Sequence, residues 1–419
     1  VRIGAARLLG ALTLALLAAT EPALSAEYLL EEPRTAGPWV QLVDGGFGDP
    51  GLIILGPMAE FRGQLYVATM HRTDGCQVWR TRDGAAWEPV VGAGAATPAG
   101  FGEPGNKSLN KLLTDGEWLY AALWNDESGG QIWRSADGTA WQPSVGSNAA
   151  TSAGFGKAEN TGVTALGAFQ GRVFAGTGSA HCKDGVELWL SGDHGVTWQP
   201  VAGERFALAT ALARESKYFL DMAEFEGALY ISTGDQRTGG SEIWRSRDGQ
   251  RWEAVVGAPS RYRAGMGKPS DDMIYDLEPF GGRLYAGVLN YLREGGALWR
   301  SDREGSAWEV MVGGDARPHT AGFGRQANFG ITRLVAYGDY LYASTSNEEG
   351  AELWRSADGA SWAPVVGPDA ETGPGLGNPR NRAINGVLVF LGTLYVSTDN
   401  PTEGGELWRL EWQVASAHP

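Results

Sequence analysis

Short polar residues recur at fixed offsets along this chain. Thirteen positions ahead of the first apolar residue of successive strand-like runs stand Leu52, Asn106, Asn160, Ser216, Asp271, Asn328 and Asn381. Six positions after that same residue stand His71, Asn125, Ser179, Asp235, Asn290, Asn347 and Asn400. Two readings fit this spacing. Asn and Asp side chains cap loops by bonding nearby backbone groups. Arranged as two rings around a channel, they would instead line a funnel with oxygen, suited to a sugar or to a hard cation such as Ca²⁺. Apart from that ion, nothing in the sequence calls for a cofactor.

Departures from the pattern say more. Trp124, Tyr218, Tyr275, Tyr291 and Phe329 fall on or near the funnel face, and Lys107, Lys217, Asp272 and Arg382 directly follow the first ring. Aromatic platforms with mixed charges suit a glycan or a peptide. The candidate ligand-binding set is therefore Asn106, Lys107, Trp124, Asn160, Lys217, Tyr218, Asp271, Asp272, Tyr275, Asn328, Asn381 and Arg382. Glycoside cleavage would need two carboxyl groups across the channel. Asp272 with Asp235 or Glu159 are the candidates, and Tyr275 is a further catalytic candidate. His71 with Cys76, and His181 with Cys182, are soft ligands that could hold zinc or copper. They lie in units that are not adjacent, which also weighs against a Cys76–Cys182 disulfide. Five histidines and no nucleophile-elbow motif leave little for a Ser–His–Asp hydrolase.

The elements that would position these residues come from a repeat. Trp79, Trp133, Trp189, Trp244, Trp299, Trp354 and Trp408 are spaced by 54, 56, 55, 55, 55 and 54 residues. A fixed period of this size means a repeat architecture. In the sixth unit four strand-like pieces follow one another: Ile331 to Tyr337, Tyr340 to Ser346, Ala351 to Ser356 and Trp362 to Gly367. The turn at Asp358–Gly359 is a strong hairpin signal. Seven such units predict an all-β fold, a seven-bladed β-propeller of four-stranded antiparallel blades. The seventh unit lacks its fourth strand after "ELWRLEW", and "WVQLVDGGFG" near the other end matches the missing piece. The N-terminal strand should therefore join the last blade, so closing the ring and removing its open edges.

The third unit reads "SGDHGVTW" (Ser191 to Trp198). This resembles the Asp-box, or BNR, repeat of sialidases and many other propellers. The other copies are mostly one residue shorter between Asp and Trp. The resemblance implies a sialidase-like scaffold, but the arginine clamp and nucleophile pair of a sialidase find no counterpart here. Locally, the phrase is a staple: Asp and Ser accept from turn N–H groups, Gly takes a positive φ, and Trp packs beneath. Six of the seven interblade loops carry Gly-apolar-Gly. They lack the strand–loop–helix setting of a phosphate cradle.

Composition bounds the partners. A net charge of -15 argues against nucleic acid. Arg2 and Arg7 before the apolar run Leu8 to Ala19 look like an export signal. No later segment is apolar enough to insert in a membrane. The expected organisation is a signal peptide over residues 1–26, a linker over 27–36, the propeller over 37–412 and a tail over 413–419. The expected role is a secreted or periplasmic binding or scaffold module for a glycan, peptide or protein. The alternative is a carbohydrate-active enzyme, a glycoside hydrolase or polysaccharide lyase, using the funnel.

Overall fold

A computed structural model describes residues 34–179, 186–201, 217–234, 239–290, 292–314 and 319–414. The expected export signal, Asp235, Tyr291, His181 and Cys182 lie outside them.

The described chain forms 28 strands, every ladder antiparallel. Each repeat unit builds its own meander. Leu52–Phe61, Gln64–His71, Val78–Thr81 and Glu88–Val91 pair in that order, and the later units repeat the scheme. The first two strands of a unit also touch the next unit through single pairs, such as Met70 with Ser108 and Trp124 with Gly162. The pair Ile54–Asp399 brings the last unit back to the first. The result is a closed ring of 14 inner strands with the remaining strands outside it.

The chain ends meet as the sequence requires. Arg34–Val43 pairs with Leu407–Val414, with Trp39 opposite Leu410 and Val40 opposite Arg409. The pairing starts at Arg34 and ends at Val414, beyond the expected limits of 37 and 412, because Arg34 to Ala36 find partners in Trp412 to Val414. Tyr218 and Phe219 belong to the strand Tyr218–Phe225.

The repeated phrase acts within its unit and against the preceding one. In the sixth unit the Ser356 hydroxyl donates to Asp358, and the N–H groups of Ala360 and Ser361 donate to the same carboxylate oxygen. Those N–H bonds hold the Asp358 carboxyl down at about 2. The turn glycine sits beneath an aromatic ring of the unit before it: Gly138 on Tyr66, Gly249 on Phe174, Gly359 on Tyr285. In the second and fourth units the arginine after the repeat tryptophan reaches forward: Arg134 donates to the His194 carbonyl and Arg245 to the Glu304 carbonyl at 3.0 Å. On the opposite side, the phenylalanine of four Gly-apolar-Gly turns stacks on a repeat tryptophan. Phe101 lies 5.0 Å from Trp133 and Phe323 lies 4.6 Å from Trp354. Phe101 holds a φ of 56°, a conformation an L-residue adopts only when packing compensates.

Candidate functional site

The innermost strand of every unit carries an irregularity at the same height. Its register shifts between Leu55 and Met58, Leu109 and Lys111, Val163 and Ala165, Phe219 and Met222, Ile274 and Asp276, Ile331 and Arg333, and Ile384 and Gly386. A bulge inserts an extra residue and re-aims the side chains around it. Here the extra residues face the channel mouth. Gly56, Asn110, Thr164, Leu220, Tyr275 and Asn385 all line one cavity of about 370 Å³. Trp124 and Tyr218 close one side, with ring centroids 6.2 Å apart and planes tilted by 32°. The Trp124 indole is oriented by donation to Asp126 at 2.8 Å.

Charge enters from the residues just after the bulges. Lys111 reaches across the channel to Asp221, whose other oxygen accepts the Leu277 N–H at 2.9 Å. Arg333 donates to three neutral acceptors: the Asn385 carbonyl at 2.7 Å, the Thr332 carbonyl at 2.9 Å and the Tyr275 carbonyl at 3.4 Å. Its nearest carboxylate, Asp276, is 3.9 Å away. Asp276 accepts the Leu334 N–H at 2.6 Å. Burial, then the neighbouring Asp221 charge, push the Asp276 carboxyl well above the usual range. Glu278, one turn of the pleat deeper, accepts the Ala336 N–H at 2.8 Å, and burial drives its carboxyl up to about 8. Each acid thus ties its own inner strand to the next one. None of the three lines the cavity; its charged wall is Lys111 and Arg333.

Of the residues singled out in the sequence, Trp124, Tyr218 and Tyr275 come together on this wall. The two polar rings do not. Their members bond one another: the amide of Asn125 donates to Asn106, Asn290 to Asp271, Asn347 to Asn328 and Asn400 to Asn381, at 2.8–3.1 Å. Asn106, Asn160, Asn328 and Asn381 also donate to the Gly-apolar-Gly carbonyls and to Gln131, Glu187, Glu352 and Glu406 of the repeated phrase. These asparagines are at most 3% exposed, and their amides serve loops. In the fifth unit the ring residue is Asp271 and the phrase carries Ala297 in place of the acid, so two carboxylates are not opposed. Replacing Asn381 by Ala should lower stability by about 2–3 kcal/mol in urea unfolding, since buried Glu406 and Gly375 acceptors lose their donor, while ligand affinity stays unchanged.

The remaining candidates lie elsewhere. Lys107 is exposed, Arg382 pairs with Asp399 at 3.1 Å, Asp272 is buried and does not line the cavity, and Lys217 precedes the strand Tyr218–Phe225, its carbonyl accepting the Ser179 N–H at 2.8 Å. His71 occupies the place of an asparagine: its Nδ1 accepts the N–H groups of Thr73 at 3.0 Å and Asp74 at 2.7 Å. That lone pair is consumed by the loop. Cys76 is buried and its thiol is pushed up to about 12, far from the thiolate a metal requires. No group of three or more His, Cys, Asp or Glu able to hold a metal ion occurs among the described residues.

Sequence reasoning missed Lys111, Asp221, Asp276, Glu278 and Arg333. Their signal was present: "LNKLL", "LDMAE", "IYDLE" and "ITRLV" set a charge inside an apolar inner strand where other units carry Ala165, Gly386 or Pro57.

No family model and no curated protein matches the chain. Among solved structures, YCF48 from Cyanidioschyzon merolae is similar over 90% of this chain and 99% of its own, with 13% identity and a TM-score of 0.53. A prolyl endopeptidase structure is similar over 87% of this chain but 50% of its own, with 10% identity and a TM-score of 0.49. At these identities the likeness speaks to architecture. Together with the closed antiparallel ring it makes the chain, by fold, an all-β propeller.

Proposed function

We propose that this chain is a seven-bladed, Asp-box-type propeller, exported from the cytoplasm, whose channel mouth binds a glycan, peptide or protein segment without transforming it. The 55-residue period, the meander of each unit and the head-to-tail strand support the blade count. The export reading rests on the N-terminal sequence alone. One observation carries the choice of binder over catalyst. Among the described residues the cavity presents Trp124, Tyr218, Tyr275, Asn110, Asn385, Lys111 and Arg333, but no carboxyl group. A glycosidase needs two carboxyls about 5–10 Å apart on the substrate. Here the channel acids are turned away and occupied by Lys111 and by backbone N–H groups.

A glycan and peptide array followed by titration of each hit tests the reading. Replacing Trp124 by Ala should weaken a hit by about 2 kcal/mol, or ~30-fold, the usual cost of removing a central tryptophan. Unchanged affinity in that variant, or release of reducing ends from a bound glycan, would overturn it.

A further inference from the structure

We propose that the channel mouth selects ligands carrying a carboxylate beside a flat ring, with the Arg333 guanidinium receiving the carboxylate and Trp124 and Tyr218 receiving the ring. The inference rests on the binding reading above and narrows it to a chemical class.

Lys111 and Arg333 are the two cations on the cavity wall. Lys111 is paired with Asp221 across the channel. Arg333 is held differently. Its Nε and one terminal nitrogen donate to backbone carbonyls, which fix the planar group without neutralising it. Among the described residues the other terminal nitrogen has no hydrogen-bond acceptor, and it remains a donor at the wall. A guanidinium pre-oriented by neutral acceptors recognises a carboxylate with little further ordering. Tyr275 and Asn385 flank it on the same wall, and the aromatic pair lies across the cavity. A volume of about 370 Å³ suits one or two rings.

Capture should also depend on protons. The charged groups around Asp276 are Asp221 from Tyr218–Phe225, Arg333 from Gly330–Tyr337, Lys111 from Ser108–Thr114, and Glu278 on its own strand. While Asp276 and Glu278 hold their protons, the two cations face one carboxylate, Asp221. Once both acids ionise, the excess positive charge beside the cavity is lost. Affinity for a carboxylate ligand therefore falls as pH rises through neutrality.

Calorimetric titration of the full chain with matched pairs tests this. One pair is oligogalacturonate against the neutral galactose oligomer; the other is a dipeptide ending in Phe, as free acid against amide. At pH 5.5 the acid member of one pair should bind at least tenfold tighter than its neutral twin, and that preference should shrink at pH 8. The two pairs distinguish a sugar source from a chain end. Asn385→Asp places a carboxylate beside the guanidinium and should abolish the preference with an unchanged unfolding midpoint. Arg333→Gln should do the same, and Asn385→Asp keeps the test decisive if that variant unfolds. Equal binding of acid and neutral twins would overturn this inference and leave the binding reading standing. No binding by either member of either pair would likewise overturn this inference, while the binding reading stands or falls on the array.

Discussion

Gly359→Ala should be among the most damaging single-methyl changes within the described residues. Gly359 sits in the turn of the repeated phrase with φ of 69°, where an L-residue costs about 1–2 kcal/mol. A Cβ there would lie 1.8 Å from the Tyr285 hydroxyl and 2.5 Å from the ring carbon that bears it. Tyr285 is 1% exposed and packed between units, so it cannot swing aside. Overpacking a rigid core costs a further 1–3 kcal/mol, roughly, giving a total of about 2–5 kcal/mol. Urea unfolding monitored by tryptophan fluorescence reads the loss. The double variant Gly359→Ala with Tyr285→Phe should recover part of it, because removing the hydroxyl relieves the nearest clash. The third unit already carries Phe174 at the matching position, against Gly249. A Gly359→Ala variant as stable as the parent would show that the turns do not lock neighbouring units together.

Glu278→Gln should make the protein more stable in mild alkali and remove much of its pH dependence. In the folded chain burial raises this carboxyl from 4.5 to about 8; the Ala336 N–H opposes that rise, the charges of Asp276 and Asp221 add to it, and Lys111 opposes it more weakly. The unfolded chain ionises near the ordinary value. Below about pH 4.5 both states are protonated and the residue is neutral in its effect. Between there and 8 the unfolded state has lost a proton that the folded state keeps, so stability falls as pH rises. The whole shift corresponds to a ceiling of ~5 kcal/mol. Solvent access to this half-buried group reduces that to roughly 2–3 kcal/mol. Gln keeps an oxygen that can accept the Ala336 N–H, yet has no proton to lose. The variant should match the parent at pH 4.5 and exceed it at pH 8.5; parallel curves across that range would place the titration elsewhere.

How legible the molecule was depended on whether a residue acts along the chain or across it. The spacing of Trp79 to Trp408, the Asp–Gly turns and the match between "WVQLVDGGFG" and the missing strand are one-dimensional signals. They led directly to the meander and to the pairing of Arg34–Val43 with Leu407–Val414. The polar rings were equally visible, but their meaning was not. The same spacing that could line a funnel instead sets Asn400 on Asn381 and Asn381 on Glu406. A buried amide with local partners gains more from those than from an open channel.

The cavity itself was the least visible part. Trp124, Tyr218 and Tyr275 were recognisable as departures from the repeat. Lys111, Asp221, Asp276 and Arg333 were not, because a charge in an apolar strand looks like an outward-facing residue until a bulge turns it. Lys111 and Asp221 are 110 residues apart and belong to units that are not neighbours in the ring. By itself, the sequence determined a closed cycle of near-identical antiparallel units and the turns that staple them, since those depend on short-range backbone chemistry repeated at one period. Only the tertiary structure decided which side chains share the channel mouth and how the charges there are partnered, because ring closure brings together residues that no local pattern connects.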